Sequence, residues 1–473
     1  MDASMENVWE KLGRPKYVLA PMVEQSELAW RMLARKHGAQ LCYAPMLHSQ
    51  NFVQDRKYRR EFFTTCPEDR PLIVQFCGND PQTLLKAGKL LEDSCDAVDL
   101  NLGCPQAIAK RGFYGSFLQD EWKLIHEIVK TLRQNLSVPV TCKIRIFDDV
   151  SKTVAYAKML EEAGCQMLSV HGRIREQKGR LTGLADWSQI KAVKENVNIP
   201  VLANGNILTG NDVHRCLYET MCEGVMSAEG HLHNPYIFEN QTPPIWEPAL
   251  EYLDLSQQYP CPLSNTRGHL FKLCYHVFCL PENESIREIL AKGQTRDEFR
   301  RAINLLKDKY LPFHTGVLPW DNVQNDYNLV FPPWLCQPYL RAIPPSRVDT
   351  TEVDVESNNL LANEKENLKR TNEEDITEEL QMSKKKMKKL NKIKNKSSSS
   401  QRGFEELCSN CKNPKGLKCE YNFCKKCCRD KCYLEVADCL GHRILVKTNK
   451  NVVRHKKEDK EKLECKQICT EVS

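Results

Sequence analysis

The hexapeptide Asn101-Leu-Gly-Cys-Pro-Gln106 sets a cysteine between a glycine and a proline directly after an apolar run. A free thiol, with a pKa of about 8.5, holds its proton at neutral pH yet can surrender it, so Cys104 is a candidate general acid. Read alone, it would more often be a small buried core residue. Lys143, near the end of VPVTCKIRI (138–146), offers positive charge to a phosphate or to a reduced cofactor, and by itself would serve as well in a rim ion pair. His171, in SVHGR, can hydrogen-bond a ring edge or be a satisfied core histidine. The segments ANGNI (203–207) and SAEG (227–230) bring backbone N–H groups suited to a phosphate, and Gly205 and Gly230 permit close backbone approach.

The strongest spacing signal lies further on. Residues 408–442 read C-x2-C-x7-C-x4-C-x2-C-C-x3-C-x6-C-x2-H. Thiolates in C-x2-C turns converge on tetrahedral zinc. Cys408, Cys411, Cys419, Cys424, Cys427, Cys428, Cys432, Cys439 and His442 would hold two Zn²⁺ ions with one ligand over, and the spacing leaves open whether the spare is Cys427, Cys428 or Cys432. A disulfide cluster is the alternative, disfavoured because MDASMENVWEKLGRPKY carries no apolar leader. So short a segment has no core of its own, and metal would fold it. Lys425, Lys426, Arg429 and Lys431 interleave the ligands, which suggests an RNA-binding finger, with docking of a protein partner as the second use.

The elements that must position the first set of residues are also legible. Near-continuous apolar runs occur at 17–23, 41–47, 71–77, 97–103, 138–146, 167–173, 199–205 and 224–230, with helix-like segments between them. Strands buried on both faces read this way. Eight strand–helix units in about 230 residues fit an α/β fold of the (β/α)8 barrel type, with an open doubly wound sheet as the alternative. In a barrel the C-terminal strand ends gather at one mouth, where Pro21–Val23, Gln75, Asn101–Cys104, Lys143, His171 and Asn204–Asn206 would meet as an FMN cradle. The expected order is the barrel (1–245), a small helical domain (246–345), a charged, disordered linker (346–404), a Cys-rich zinc module (405–445) and a basic tail (446–473).

The ordered set APMV, QFCGND, DLNLGCPQ, CKIR, VHGR, ANGNI and NPYIF resembles the tRNA-dihydrouridine synthase family, from about residue 17 to 240 and onward to about 330. The likeness is greatest to the eukaryotic branch acting on positions 16 and 17. It implies that NADPH or NADH reduces FMN, and that the reduced flavin passes hydride to C6 of a D-loop uracil while the cysteine protonates C5. Carried over, Cys104 is the general acid and Asn101 holds the uracil edge. Pro21, Met22 and Val23 border the flavin, Gln75 and Lys143 bond its polar edge, and His171 lies near the ring or ribityl chain. Asn204, Gly205 and Asn206 serve the phosphate. Where the family usually reads Gly-Arg after the eighth run, this chain has Ala228-Glu229, which implies weaker flavin retention. A base inside folded RNA must be extruded to be reached. Lys110 and Arg111 beside the pocket, and the Arg173–Arg180 loop, are the expected phosphate contacts.

Composition narrows the setting. No run of 18 apolar residues exists, which argues against a membrane span. Residues 381–473 carry 25 Lys+Arg against 11 Asp+Glu, a balance suited to a polyanion or to a solvated arm. With no leader in the N-terminal residues, the cytoplasm, or the nucleus as well, is expected, where disulfides are rare, and a monomer is expected. The competing readings are an FMN barrel reducing a small pyrimidine and a catalytically silent RNA-binding or scaffolding protein, the latter favoured by Ala228-Glu229.

Overall fold

The computed structural model describes residues 8–320, 331–340 and, between 408 and 448, all but 412–414, 417–418 and 443. The expected linker and nearly all of the basic tail lie outside the described residues. The described residues fall into two units, one within 1–349 and one within 350–473.

In the first unit, β1 (Tyr17–Leu19), β2 (Leu41–Tyr43), β3 (Leu47–His48), β4 (Leu72–Cys77), β5 (Ala97–Leu102), β6 (Val140–Arg145), β7 (Leu168–His171), β8 (Val201–Asn204) and β9 (Gly224–Ser227) are all parallel. The sheet closes because β1 pairs both with β2 (Val18↔Leu41) and with β9 (Val18↔Met226). Each apolar run supplies its strand, but the second is interrupted. Pro45 has no N–H to give the ladder, so β2 stops at Tyr43 and the chain resumes as β3 against β4 (Leu47↔Phe76). The barrel thus has eight staves, with β3 a short continuation of the second.

Alternate residues of a strand face opposite sides, and in β4–β7 this parity puts polar groups inside. Asp99 and Asn101 share a face, as do Thr141, Lys143 and Arg145, and Ser169 and His171. The deepest of them satisfy one another: Thr141 Oγ1 donates to Asp99 Oδ1 (2.6 Å), and the Tyr43 and Ser169 hydroxyls lie 3.2 Å apart. Val98, Leu100 and Leu102 face outward into the apolar layer beneath the surrounding helices.

Those helices begin at designed-in stops: Asp80, Asp149 and Asp186 cap theirs, and Thr209 with Asp212 forms a reciprocal capping box. Beyond the barrel come helices Trp246–Gln258, Leu263–Leu273, Tyr275–Phe278, Glu284–Lys292 and Arg296–His314. FKLCYHVFCL, which reads as one helical stretch, is two helices broken at Cys274. This layer is pinned to the barrel through Glu27, whose carboxylate accepts from Tyr252 Oη (2.6 Å) and meets His269 Nε2 at 3.0 Å, while His269 stacks on Trp30 (3.9 Å).

Candidate active site

The turn that carries Cys104 is built from its own strand. Asn101 is the last but one residue of β5 with its side chain inward, and its Oδ1 accepts the backbone N–H of Cys104 (2.9 Å) and Gly103 (3.2 Å). On the far side, Ser116 donates to the Cys104 carbonyl from both its backbone N–H (3.1 Å) and its hydroxyl (3.0 Å). Gly115 makes this possible. Its φ is +64°, and a Cβ there would fall 2.9 Å from that of Cys104. Burial pushes the Cys104 thiol up from its ordinary value, so it holds its proton.

A chain of side-chain bonds runs from this turn to the barrel floor. Asn101 Nδ2 donates to Gln75 Oε1 (2.7 Å), and Gln75 Nε2 donates to Asp99 Oδ2 (2.8 Å). Because a carboxylate only accepts, Asp99 fixes which way the Gln75 amide faces, and Gln75 then fixes Asn101. Asp99 is fully buried, which pushes its pKa up to about 6. Asn101, expected to hold substrate, spends its oxygen on the turn and keeps one N–H for a ligand.

Beside these bonds, starting on the neighbouring strand where Lys143 pairs with Asn101, stands a nest of cations. Lys143 Nζ donates to Asn204 Oδ1 (2.8 Å), and Asn204 is held in turn by the Met226 carbonyl (2.8 Å). Arg145 donates to the carbonyls of Gly103 (2.8 Å), Ile174 (2.8 Å) and Gln177 (3.1 Å), clasping the Cys104 turn to the loop after β7. Lys178 adds a bond to the Pro105 carbonyl (2.7 Å). Arg173 reaches His171 Nε2 (3.2 Å) and the Asn206 side-chain oxygen. Desolvation and then Arg145 bring Lys143 down to about 8; desolvation and then Arg173 bring Arg145 to about 10. His171 lies well below its ordinary value, through burial and then the charge of Lys143. Crowded cations that depress one another favour an anion among them.

The backbone beside them is shaped for close approach. At Gly205 (φ +108°) a Cβ would lie 2.8 Å from that of Ala185 and 2.9 Å from His171 Cδ2. At Gly230 it would lie 2.9 Å from Leu208 Cα, so the loops after β8 and β9 meet there. Ala228 and Glu229 are half-buried, and Ala228 packs against the apolar cluster that includes Val18, Leu41 and Met226. Pro21 and Met22 are half-buried and Val23 is exposed, in a turn fixed by a bond from the Met22 N–H to Ser26 Oγ (3.0 Å). Lys110 and Arg111 are exposed on the helix Ala107–Gly112 that follows the thiol. These cations, the glycine cradle and the two adjoining loops fit a phosphate-bearing cofactor such as FMN. Sequence reading missed Asp99, Arg145 and Ser116, and it placed Lys178 only within the Arg173–Arg180 loop. Among the three, Arg145 had a signal, lying two residues after Lys143 on the same strand face.

In the second unit, the helix Lys425–Leu434 and the pair β10 (Asp438–Cys439) and β11 (Ile444–Leu445) frame two sets of ligands. Cys408, Cys411, Cys424 and Cys427 converge, as do Cys419, Cys428, Cys439 and His442, with ligand atoms of each set within 4.8 Å of one another. Either set could hold a metal ion. Cys427 and Cys428 serve opposite sets because successive helical residues face different ways. Cys432 is the one left over, buried beside Cys419, Cys428 and Cys439.

A (β/α)8 barrel that sets a proton-holding thiol against a nest of cations is the frame of an enzyme working with an anionic cofactor or substrate. The chain belongs to the family described as Dihydrouridine synthase (Dus), which it matches over residues 18–308. It is 49% identical over 448 residues to the mouse protein named tRNA-dihydrouridine(16/17) synthase [NAD(P)(+)]-like, covering 93% of this chain and 90% of that one. It is 46% identical over 361 residues to the Schizosaccharomyces pombe tRNA-dihydrouridine(16/17) synthase [NAD(P)(+)], covering 71% and 90%. No helix among the described residues is long and apolar enough to cross a membrane.

Proposed function

We propose that this chain reduces uridine to 5,6-dihydrouridine at positions 16 and 17 in the D-loop of tRNA. The observation that carries the proposal is the pairing of a protonated thiol, held in place from both sides, with a cation nest at one barrel mouth. FMN, reduced by NADPH or NADH, would supply hydride to C6 of the uracil. Lys143, His171, Asn204, Gly205 and Asn206 would hold it, with Pro21, Met22, Val23 and Gln75 at the ring. Cys104 holds the proton destined for C5, and Asn101 and Ser116 keep the sulfur aimed by fixing the turn that carries it. The remaining N–H of Asn101 faces the uracil edge. Lys110 and Arg111 meet RNA phosphates, and the helical layer 246–345 recognises the folded tRNA.

The two quartets of the second unit are read as zinc sites, and the basic residues around them as an RNA contact. The test is direct. Purified full-length protein should be yellow, and with NADPH it should add two mass units per reduced uridine to an unmodified tRNA transcript, mapped to positions 16 and 17. Colourless protein that binds tRNA without modifying it would instead support a silent RNA-binding role, for which Glu229 beside the expected phosphate site is the favouring feature.

A further inference from the structure

A helix that sequence reading passed over stands beside the Cys104 turn. Arg56–Phe62 comes after β3 and the short helix Ser49–Gln54, and reads RKYRREF. Asp55 caps it, accepting the backbone N–H of Lys57 (2.8 Å) and Tyr58 (3.2 Å), so this carboxylate is engaged at the helix start. Arg59 is tied down by its bonds to the carbonyls of Phe52 (2.6 Å) and Val53 (3.1 Å). Arg56, Lys57 and Arg60 are different. All three are exposed, and none forms an ion pair among the described residues, not even with Glu61 on the same helix.

Aromatic surface lies between these charges. Tyr58 and Phe62 stack at 4.6 Å with 26° between their planes, and Phe62 is 38% exposed. The helix is also connected to the catalytic turn. Tyr58 Oη accepts the His48 backbone N–H (3.1 Å), and His48 meets Tyr114 edge-on at 5.5 Å. Tyr114 packs in one cluster with Cys77 and Cys104. Lys110, Arg111 and the exposed Phe113 lie on the segment leading into Tyr114.

We propose that helix Arg56–Phe62 is a binding platform for the single-stranded RNA flanking the uridine in the pocket, with Arg56, Lys57 and Arg60 on phosphates and Phe62 under a base. The inference rests on the tRNA reading above and names a site for it. Arg56 and Arg60, one turn apart, project from nearly the same face at about 6 Å, so the two side chains can engage successive phosphates. Cations interleaved with an exposed aromatic face are what sequence-tolerant binding of single strands needs. A loop already holding one extruded base presents such a strand.

The experiment is tRNA binding by full-length protein over a salt series, using an unmodified transcript. Replacing three phosphate contacts by Arg56→Gln, Lys57→Gln and Arg60→Gln together should weaken binding about tenfold at moderate salt and reduce the log–log salt slope by roughly 2. Phe62→Ala should cost about tenfold and keep most of that loss at high salt, since stacking is not screened. Lys158→Gln, on the outer helix Val150–Glu162, should change neither quantity. If the triple variant folds poorly, Lys57→Gln alone should lower the slope by roughly 0.7. Unchanged slope and affinity in these variants, while wild type binds normally, would overturn the platform and leave the enzyme reading intact. Poly-glutamate competing as well as tRNA would overturn it too, by showing an acid-binding face without RNA preference. Wild-type protein that fails to bind tRNA at any salt would instead remove the tRNA reading, and the platform with it.

Discussion

Sulfur is used in opposite ways in the two units. At the barrel mouth Cys104 stands as a single thiol whose burial holds its proton in place, and its neighbour Cys77, pushed higher by the same desolvation, is protonated as well. In the second unit eight ligand atoms gather into two sets, each within 4.8 Å of itself. Four such groups at that spacing could hold a metal ion, which would take the thiols as thiolates. The difference teaches that a cysteine's role is set by its neighbourhood. A buried thiol framed by backbone bonds keeps its proton, and thiols brought together on a small frame could hold a metal ion.

The hardest blow to that contrast comes from the single thiol. Cys104→Ala should lower dihydrouridine formation by about 10²–10⁴-fold, the usual weight of a positioned acid, and Cys432→Ala should leave product formation unchanged by the same mass-spectrometric assay. On the metal side, Cys411→Ser should reduce zinc from two ions per chain to one and open residues 408–448 to protease. Cys432→Ser should retain both ions, because Cys432 lies outside either set. Loss of a zinc in Cys432→Ser would redraw the second site.

Smaller effects probe the frame around Cys104. Asp99→Asn should lower kcat about tenfold by freeing the Gln75 amide to turn over. It also has a signature in stability. The Asp99 pKa is raised to about 6, so its contribution is greatest below the ordinary carboxylate range and is lost as pH rises through about 6. The advantage in Tm of wild type over Asp99→Asn should therefore shrink between pH 4 and pH 6.5; a growing advantage would contradict the assignment. Least of all, Ser116→Ala should cost only a few-fold in kcat. It removes the hydroxyl bond to the Cys104 carbonyl while the Ser116 N–H still donates, a loss of about 1 kcal/mol.

The strands of the barrel were legible because each is a continuous apolar run ended by polar residues, and Cys104, Lys143 and Asn204 were legible as those endings. What was hidden needed long-range pairing. Asp99 sits within AVDLNLG like a stray polar residue, and its use appears only when Gln75 and Thr141 arrive from neighbouring strands. The interruption at Pro45 was written in the sequence, but the length of the run masked it. Nine ligands were countable from spacing, yet their partition depended on the helix Lys425–Leu434, which turns Cys427 and Cys428 to opposite sides. The helix Arg56–Phe62 reads as an ordinary charged stretch until Tyr58 ties it to His48.

Which half of the reaction needs the thiol can be read from the flavin. Wild-type and Cys104→Ala proteins should be reduced anaerobically with NADPH, then mixed with unmodified tRNA while flavin absorbance is followed. Equal rates of reduction by NADPH are expected in both, with tRNA-dependent reoxidation and dihydrouridine only in wild type. Reoxidation by tRNA at the wild-type rate in Cys104→Ala, with the product formed, would contradict that role for the thiol.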